Sequence, residues 1–362
     1  MQYFIFLIWL FLTLFPICWF AYRARKFHHN FIKRQLNTML IDLPLYSSIL
    51  IKSITSHINK QPARIKKILL QNIASHQLNA LQKNLKSTSL KKQLLLLTKN
   101  SYFIAKPQTP LETLLCANKL INNNNYYQAS LLLDKINERP KSPELAALKL
   151  FTEAKILHHE GDLLNSSSWC TQALNLFHKQ FLIYEEASSY LLLSQIYNDA
   201  DLFDSSELTL RNALKLFQQI NSQYYIAQCY CNLAILTAAQ ERWDEACNYF
   251  NKATADASKI KDKTLLHSIS CHQALLDINL GNPHHAITKL KSFVASTDNN
   301  LNAFHHYVLA QAHLKLKHWQ KASTLAEKSQ KLYISTSNHA AAATVATTIE
   351  HISKHLKNYK IL

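Results

Sequence analysis

Glycine is nearly absent from this chain of 362 residues, which contains two glycines where average usage would give roughly 25. Tight turns, β-bulges and phosphate-binding loops need glycine because their backbone adopts positive φ or closely approaches a ligand. The sequence therefore excludes a dinucleotide-binding fingerprint and a P-loop. After Pro143 only Pro283 follows, which leaves long stretches in which helices can form. These shortages predict an all-α protein.

Cysteine pairs are also missing. The seven cysteines are scattered along the chain and no Cys-x-x-Cys sequence occurs. An odd number without paired spacing indicates neither a disulfide framework nor a zinc knuckle. Small buried thiols in a reducing compartment are the simplest interpretation.

Signatures of catalysis are absent, although the chain has eighteen histidines. His351 and His355 have the i, i+4 spacing that can place two imidazoles on one helix face, but no third ligand is evident. We interpret His351 and His355 as part of a solvated helix face. Adjacent pairs such as His305–His306 are interpreted as polar positions. No paired-carboxylate motif or serine-nucleophile elbow occurs. We expect no enzymatic activity, no cofactor and no metal site.

Charged side chains are missing from residues 1–22, and residues 3–22 form an apolar run. Twenty helical residues span about 30 Å, the thickness of a hydrocarbon core. This predicts a transmembrane anchor over residues 1–22; a cleaved signal peptide is the alternative, but the basic n-region and the small-residue cleavage site are lacking. Positive charge stays on the cytoplasmic side, so the rest of the chain is predicted to be cytoplasmic. The membrane-proximal basic residues are Arg23, Arg25, Lys26, Lys33 and Arg34.

Acidic residues are scarce in the segment that follows. Residues 23–106 contain 16 Lys and Arg against Asp42 alone, so +15 of the net charge of +17 lies there. Residues 23–109 are predicted to form a basic amphipathic helical stem. A helical cap in contact with anionic lipid headgroups, direct docking of a protein partner and nucleic-acid binding remain alternatives. Few aromatic residues are present for base stacking, which weighs against nucleic acid.

From about Pro110 the sequence repeats itself. Residues 190–214 and 230–254 align without a gap. The matched positions hold, in order, an aromatic residue, a leucine followed by a small residue, a second aromatic residue, and then a small, a bulky and a small residue. The small residue that opens the second part of each unit recurs at spacings of 37, 40, 40, 40 and 36, at Ala129, Ser166, Ser206, Ala246, Ala286 and Ala322. This pattern resembles the tetratricopeptide repeat (TPR) family, which implies an α-solenoid of about six helix-turn-helix repeats over residues 110–338.

The repeat spacing and the turns carry further expectations. The usual repeat of the family has 34 residues, so the helices or the turns should be longer here. Gly161 and Gly281 fall where the first helix of a repeat ends, a position that favours left-handed backbone. The equivalent positions hold Asn124, Asp201, Glu241 and Lys317. Glu and Lys tolerate this conformation less readily, so those two turns are expected to differ. Residues 339–362 are predicted to form a C-terminal capping helix.

The resemblance also implies a partner groove, because the first helices of TPR repeats line a concave surface. The family's groove positions correspond here to Asn118, Asn122, Lys155, His158, Gln195, Asn198, Asp199, Gln228, Gln311 and Lys315, with Phe304 and Tyr307 as aromatic anchors. Asn and Gln side chains can bind the backbone of an extended peptide, and lysines can meet carboxylates. An ordinary polar surface, with binding elsewhere, is the alternative.

The whole organisation resembles bacterial inner-membrane proteins with one N-terminal span and cytoplasmic TPR repeats. It predicts a non-enzymatic scaffold or adaptor that binds a protein or peptide partner in an envelope-associated complex. Two alternatives stay open: a membrane-tethered regulator that binds nucleic acid through the basic stem, and a periplasmic assembly factor with the opposite topology.

Overall fold

A computed structural model of the chain describes residues 58, 60, 109–136, 142–293, 296 and 298–359. The chain divides into two compact units, Met1–Leu115 and Cys116–Leu362, and the architecture below is that of the second. The predicted anchor, the five membrane-proximal basic residues and nearly all of the predicted stem lie outside the described residues. Among the helices within the described ranges, none is both long enough and apolar enough to cross a membrane.

The described part of the chain is all-α, as predicted, with six helix pairs followed by a single helix. The helices are α1 (Pro110–Asn122), α2 (Tyr126–Leu133), α3 (Pro143–Glu160), α4 (Leu163–Lys179), α5 (Ile183–Asp199), α6 (Phe203–Gln219), α7 (Gln223–Ala239), α8 (Trp243–Ile260), α9 (Lys263–Asn279), α10 (Pro283–Lys291), α11 (Asn299–Lys315), α12 (Trp319–Ser335) and α13 (His339–Tyr359). Each odd-numbered helix from α1 to α11 is the first helix of a pair, and the next even-numbered helix is the second. This arrangement is a TPR-like solenoid.

The extra length of each repeat lies in its helices. From α4 to α7 every helix has 17 residues, which corresponds to about 26 Å of α-helix. The turns between them are only three residues long. The spacing of 40 residues therefore comes from longer helices joined by short turns. The sequence predicted either longer helices or longer turns, and the longer helices are confirmed.

The repeated small residue marks the contact between the two helices of a pair. All six side chains at this position are at most 1% exposed: Ala129, Ser166, Ser206, Ala246, Ala286 and Ala322. Where the residue is serine, its hydroxyl donates a hydrogen bond to a carbonyl of the first helix. Ser166 Oγ donates to Ala154 O and Ser206 Oγ donates to Ser194 O, both at 2.8 Å. A buried hydroxyl is thus satisfied without adding bulk to the contact.

The turn within each repeat has the same geometry at all six positions. Gly161 and Gly281 have φ of 84° and 82°, and the four other residues have φ between 58° and 60°. The expectation that the turns at Glu241 and Lys317 differ is therefore wrong. After Glu241 the amide of Arg242 donates to Thr237 O at 2.9 Å, and the amide of Glu241 donates to Ala238 O at 3.1 Å. These two bonds form a Schellman motif, which satisfies the last carbonyls of the helix and offsets the cost of left-handed backbone, about 1–2 kcal/mol.

The turns after α4, α6, α8 and α12 also place one residue in left-handed backbone. Phe181, Asn221, Lys261 and Ser337 all have φ between 53° and 56°, and none of them is glycine. Phe181 is 85% exposed, so no packing of its ring explains its conformation. The amide of the next residue, Leu182, donates to Phe177 O at 3.0 Å, again as in a Schellman motif. The conformation of these turns therefore does not depend on the type of residue that occupies the left-handed position.

Five of the cysteines are buried, as predicted: Cys116, Cys170, Cys229, Cys231 and Cys271. Cys247, on α8, is exposed and departs from the prediction. It lies on a second helix, which buries one stripe of residues and leaves its other faces to solvent. Cys18 lies outside the described residues.

The first and last repeats of the solenoid contact each other. Asn124 Nδ2, in the turn of the first repeat, donates to Thr336 O, after α12, at 3.3 Å. The solenoid thus curves far enough for its two ends to meet.

Replacing either glycine by alanine should destabilise the protein. No atom lies within 4 Å of a Cβ placed on Gly161 or Gly281, so the cost of Gly161→Ala comes from positive φ alone and should be about 1 kcal/mol. The measurement is the urea midpoint of the full-length protein followed by circular dichroism. Glu241→Gly is the reciprocal control and should change stability little, because relief of strain and greater freedom of the unfolded chain oppose each other. Equal losses in the two variants would contradict this account.

Candidate functional site

The first helices form the inner layer of the solenoid. α3 packs against α5, α7 against α9, and α9 against α11, while second helices pack between the first helices of successive repeats. The burial pattern agrees: α5 buries eleven of its side chains, whereas α6 buries five. In a curved stack, the helices that contact their equivalents in the next repeat lie on the concave side. All twelve predicted groove residues lie on first helices, namely on α1, α3, α5, α7 and α11.

Lys155 and Asn118 link the first helices of the first two repeats. Lys155 Nζ donates to Asn118 Oδ1 at 3.0 Å and lies 5.2 Å from the ring centroid of Phe151. Asn118 is buried and Lys155 is partly exposed. Burial lowers the pKa of Lys155 to about 8, because a protein environment disfavours the charged amine. Its hydrogen-bond partner is a neutral amide, so this contact does not neutralise the positive charge of Lys155.

His158 and Asp199 form the next link, between α3 and α5. His158 Nε2 is 2.8 Å from Asp199 Oδ2. The hydrogen bond from His158 lowers the pKa of the Asp199 carboxyl below its usual range. One turn of α3 thus presents a cation at Lys155 and an imidazole–carboxylate pair at His158. Both face the region between the first helices.

A cavity of ≈ 110 Å³ lies beside this pair, between α5 and α7. Three of the predicted residues line it: Gln195, Asn198 and Asp199. Asn232, on α7, lines the same cavity and was not predicted. The sequence could have predicted this residue, because Asn232 lies on the polar face of the same first helix, one turn after the predicted Gln228. Carboxamides on both sides of a cavity can donate to and accept from a peptide backbone.

The remaining predicted residues have different surroundings. Asn122 is exposed at the end of α1, and Gln228 is half-buried on α7. The ring centroids of Phe304 and His272 are 4.7 Å apart. Phe304 and Tyr307 both pack against the hydrophobic core between the last repeats. Gln311 Nε2 donates to Thr348 Oγ1 on α13 at 3.2 Å, and Lys315 is exposed. Their part in binding stays a prediction, and the structure shows a packing role for the two aromatic residues.

Histidines on α9, α11 and α13 are the residues that sequence reasoning missed. His305 was interpreted as a polar position, but its Nδ1 lies 2.8 Å from Nε2 of the buried His267. His355, interpreted as part of a solvated face, stacks on Trp319 at 4.4 Å. The spacing of His267 and Cys271 at i, i+4 was visible in the sequence. The proximity of His267 to His305 was not visible in the sequence, because it depends on how far one first helix is shifted along the next.

The comparisons with known proteins agree on the fold. The family model described as the MalT-like TPR region matches residues 112–338, and no curated protein matches the sequence. The crystal structure of NprR in complex with its cognate peptide NprX has a TM-score of 0.58 at 18% identity, with 82% of this chain and 87% of that one covered. The apo form of the quorum sensor NprR from B. thuringiensis has a TM-score of 0.51 at 14% identity, with 82% and 80% covered. At these identities the likeness concerns the fold alone.

The pairing of His158 with Asp199 can be tested by titration. Removing the imidazole in His158→Gln should raise the pKa of the Asp199 carboxyl, because its main stabilising hydrogen bond is lost. The wild-type carboxylate should accordingly stay charged to lower pH than that of the variant, as measured by ¹³C NMR of labelled aspartate. His313→Gln, on α11, is the control and should leave Asp199 unchanged. Identical Asp199 curves in wild type and His158→Gln would show that the pair does not form.

Proposed function

The chain belongs to the family of MalT-like TPR regions, and we propose that it binds a peptide segment of a partner protein in the groove between its first helices. The NprR structure in complex with the peptide NprX supports this proposal, because it shows a solenoid of this fold with a bound peptide. The observation that carries the proposal is the set of polar side chains that the groove gathers in repeats one to four. We name this set, Asn118, Lys155, His158, Gln195, Asn198, Asp199 and Asn232, the polar groove.

The chemistry of the polar groove favours an extended segment with at least one carboxylate. Gln195, Asn198 and Asn232 offer donors and acceptors to peptide amides around the cavity. Lys155 offers a partly desolvated positive charge whose hydrogen-bond partner is a neutral amide. A carboxylate at Lys155 would compensate that charge, and a hydrogen bond to a charged group contributes about 1.5–3 kcal/mol. We therefore place an acidic side chain or a C-terminal carboxylate of the partner at Lys155.

The proposed activity is binding without catalysis, as a scaffold or adaptor. The partner is a protein or a peptide, and its recognition requires only that the rigid solenoid holds the polar side chains in place. Helix-in-groove binding is less well supported, because such grooves are apolar whereas this one is lined by carboxamides and charged groups.

In-cell cross-linking tests the groove. Full-length protein carrying both Lys155→Met and Asp199→Asn should lose a specific set of partners that wild type retains, with an affinity loss of about tenfold or more for Lys155→Met alone. The cross-linked proteins are identified by mass spectrometry and their affinities are then measured with purified full-length protein.

Lys215→Met, on the exposed face of α6, is the matched control and should retain every partner. A second readout is pH. Lys155 is charged below about 8, so binding should weaken as the pH rises above that value, and Lys155→Met should lose this dependence. Partners that are unaffected by both groove substitutions would overturn the assignment.

Membrane attachment is the second part of the proposal. It is supported by the uncharged run of residues 1–22 and by the basic residues that follow it. Together they favour a single span with the solenoid on the cytoplasmic side of a bacterial inner membrane, where the protein would join an envelope-associated complex.

A reporter fused after Leu362 tests this topology. A reporter that is active only in the cytoplasm, in a protein that stays in the membrane fraction after a carbonate wash, is the expected result. Activity of a periplasm-specific reporter would overturn the topology and favour a periplasmic assembly factor. Loss of the protein from the membrane fraction would overturn the anchor.

A further inference from the structure

Three potential metal ligands meet between the first helices of the last two repeats. His267 and Cys271 lie one turn apart on α9, and His305 lies opposite them on α11. His267 Nε2 and His305 Nδ1 are 2.8 Å apart. One ring nitrogen from each histidine and Cys271 Sγ all lie within 4.8 Å of one another. We name this group the His–Cys cluster.

The surroundings hold the His–Cys cluster in place and leave one side open. His267 is 3% exposed, and its ring stacks on Phe293 with centroids 4.7 Å apart and an interplanar angle of 6°. Cys271 is fully buried in the core between the two repeats. His305 is partly exposed, so an ion can reach the cluster from the His305 side. Ligand rings fixed by packing are a requirement of a preorganised site.

The protonation states suit coordination by the two imidazoles. Burial lowers the pKa of His305 to about 4 and also lowers the pKa of His267, which favours the neutral imidazole that metal binding requires. The positive charge of Lys328, on α12, contributes to the low pKa of His305. Burial raises the pKa of the Cys271 thiol to about 12, so this ligand must lose its proton when a metal binds.

We propose that the His–Cys cluster is a binding site for one Zn²⁺ ion, with His267 Nε2, His305 Nδ1 and Cys271 Sγ as its three protein ligands. Two imidazoles and a thiolate are a ligand set that zinc accepts in tetrahedral geometry, with Zn–N near 2.0–2.1 Å and Zn–S about 2.3 Å. A tetrahedral site therefore requires about 3.3 Å between the two nitrogens and about 3.6 Å from each nitrogen to sulfur. The nitrogens must separate by about 0.5 Å and the sulfur must approach, which small side-chain rotations provide.

The proton balance of binding is defined by these ligands. The imidazole that donates the present hydrogen bond moves its proton to its other ring nitrogen, and both rings stay neutral. The thiol of Cys271 releases one proton to solvent and becomes the thiolate that binds the ion. The thiolate cancels one of the two positive charges, which limits repulsion by Lys328. The fourth position is filled by water.

Bound zinc would cross-link α9 to α11 and so fix the angle between the last two repeats. This consequence goes beyond the proposed peptide binding and does not depend on it, because the ligands lie in repeats five and six, outside the polar groove. In a solenoid the geometry between neighbouring repeats sets the curvature.

Cobalt spectroscopy of the reduced, tag-free, full-length protein tests the site. Co²⁺ should bind in a one-to-one ratio and give the visible bands of tetrahedral coordination together with a thiolate-to-cobalt charge-transfer band, and Zn²⁺ should displace it. Calorimetry with Zn²⁺ in two buffers should show about one proton released per ion at pH 7.

Variants distinguish this site from adventitious metal binding. This control is needed because the chain has eighteen histidines. Cys271→Ser should abolish the charge-transfer band, whereas Cys247→Ser, at the exposed cysteine of α8, should keep it. His305→Gln, at a partly exposed position, should weaken Zn²⁺ binding by at least about tenfold, with circular dichroism of the variant confirming that it is folded. The double variant His313→Gln/His318→Gln removes another close histidine pair, with its Nδ1 atoms 3.3 Å apart, and should bind Zn²⁺ as wild type does.

Two results would overturn the proposal. One is wild-type protein without tetrahedral cobalt bands. The other is bands that persist in both Cys271→Ser and His305→Gln, which would place the metal elsewhere.

Discussion

The close approach of the two helices of each repeat at one small residue is the contact on which the rest of the solenoid depends. Ala246, Ala286 and Ala322 are fully buried there, and packed helices approach to 8–10 Å according to the side chains at their contact. A bulky residue at this point would push the helices apart and shift every larger side chain that packs above and below it. Because the position recurs at a nearly constant period, each pair stacks on the next with nearly the same rotation. The curvature, and with it the groove, follows from that repetition.

Groove and turns depend on this repetition in different ways. The turns tolerate Glu241, Lys317 and even Phe181 in left-handed backbone, because Schellman hydrogen bonds fix the geometry whichever residue is present. The groove has no such backbone support. Its links, such as Lys155 to Asn118 and His158 to Asp199, join side chains on neighbouring first helices, so they exist only where the stacking brings two particular residues into register. Substitutions in a turn should thus affect stability, and substitutions between first helices should affect what the groove presents.

The sequence was sufficient for the periodic features and insufficient for contacts between repeats. The spacing of Ala and Ser predicted the helix pairs, and the two glycines predicted where the first helices end. The turn at Lys317 was misjudged, because residue preference was weighed without the backbone bonds that override it. The groove positions could be transferred helix by helix, and all lie on first helices, but the burial of Asn118 and the packing of Phe304 depend on the neighbouring repeat. His267 and Cys271 were visible as a spaced pair, whereas their third partner required the distance between α9 and α11.

The two candidate sites lie in different repeats, and the solenoid connects those repeats by two kinds of contact. The polar groove lies in repeats one to four, and the His–Cys cluster joins repeats five and six. Nearest-neighbour contacts connect α9 to the polar groove through the intervening repeats. A second connection is direct: Asn124 Nδ2 donates to Thr336 O, which links the first turn to the end of α12. If the proposed zinc ion fixes the angle between the last two repeats, we expect any effect on the polar groove to pass through these contacts, without contact between metal and partner.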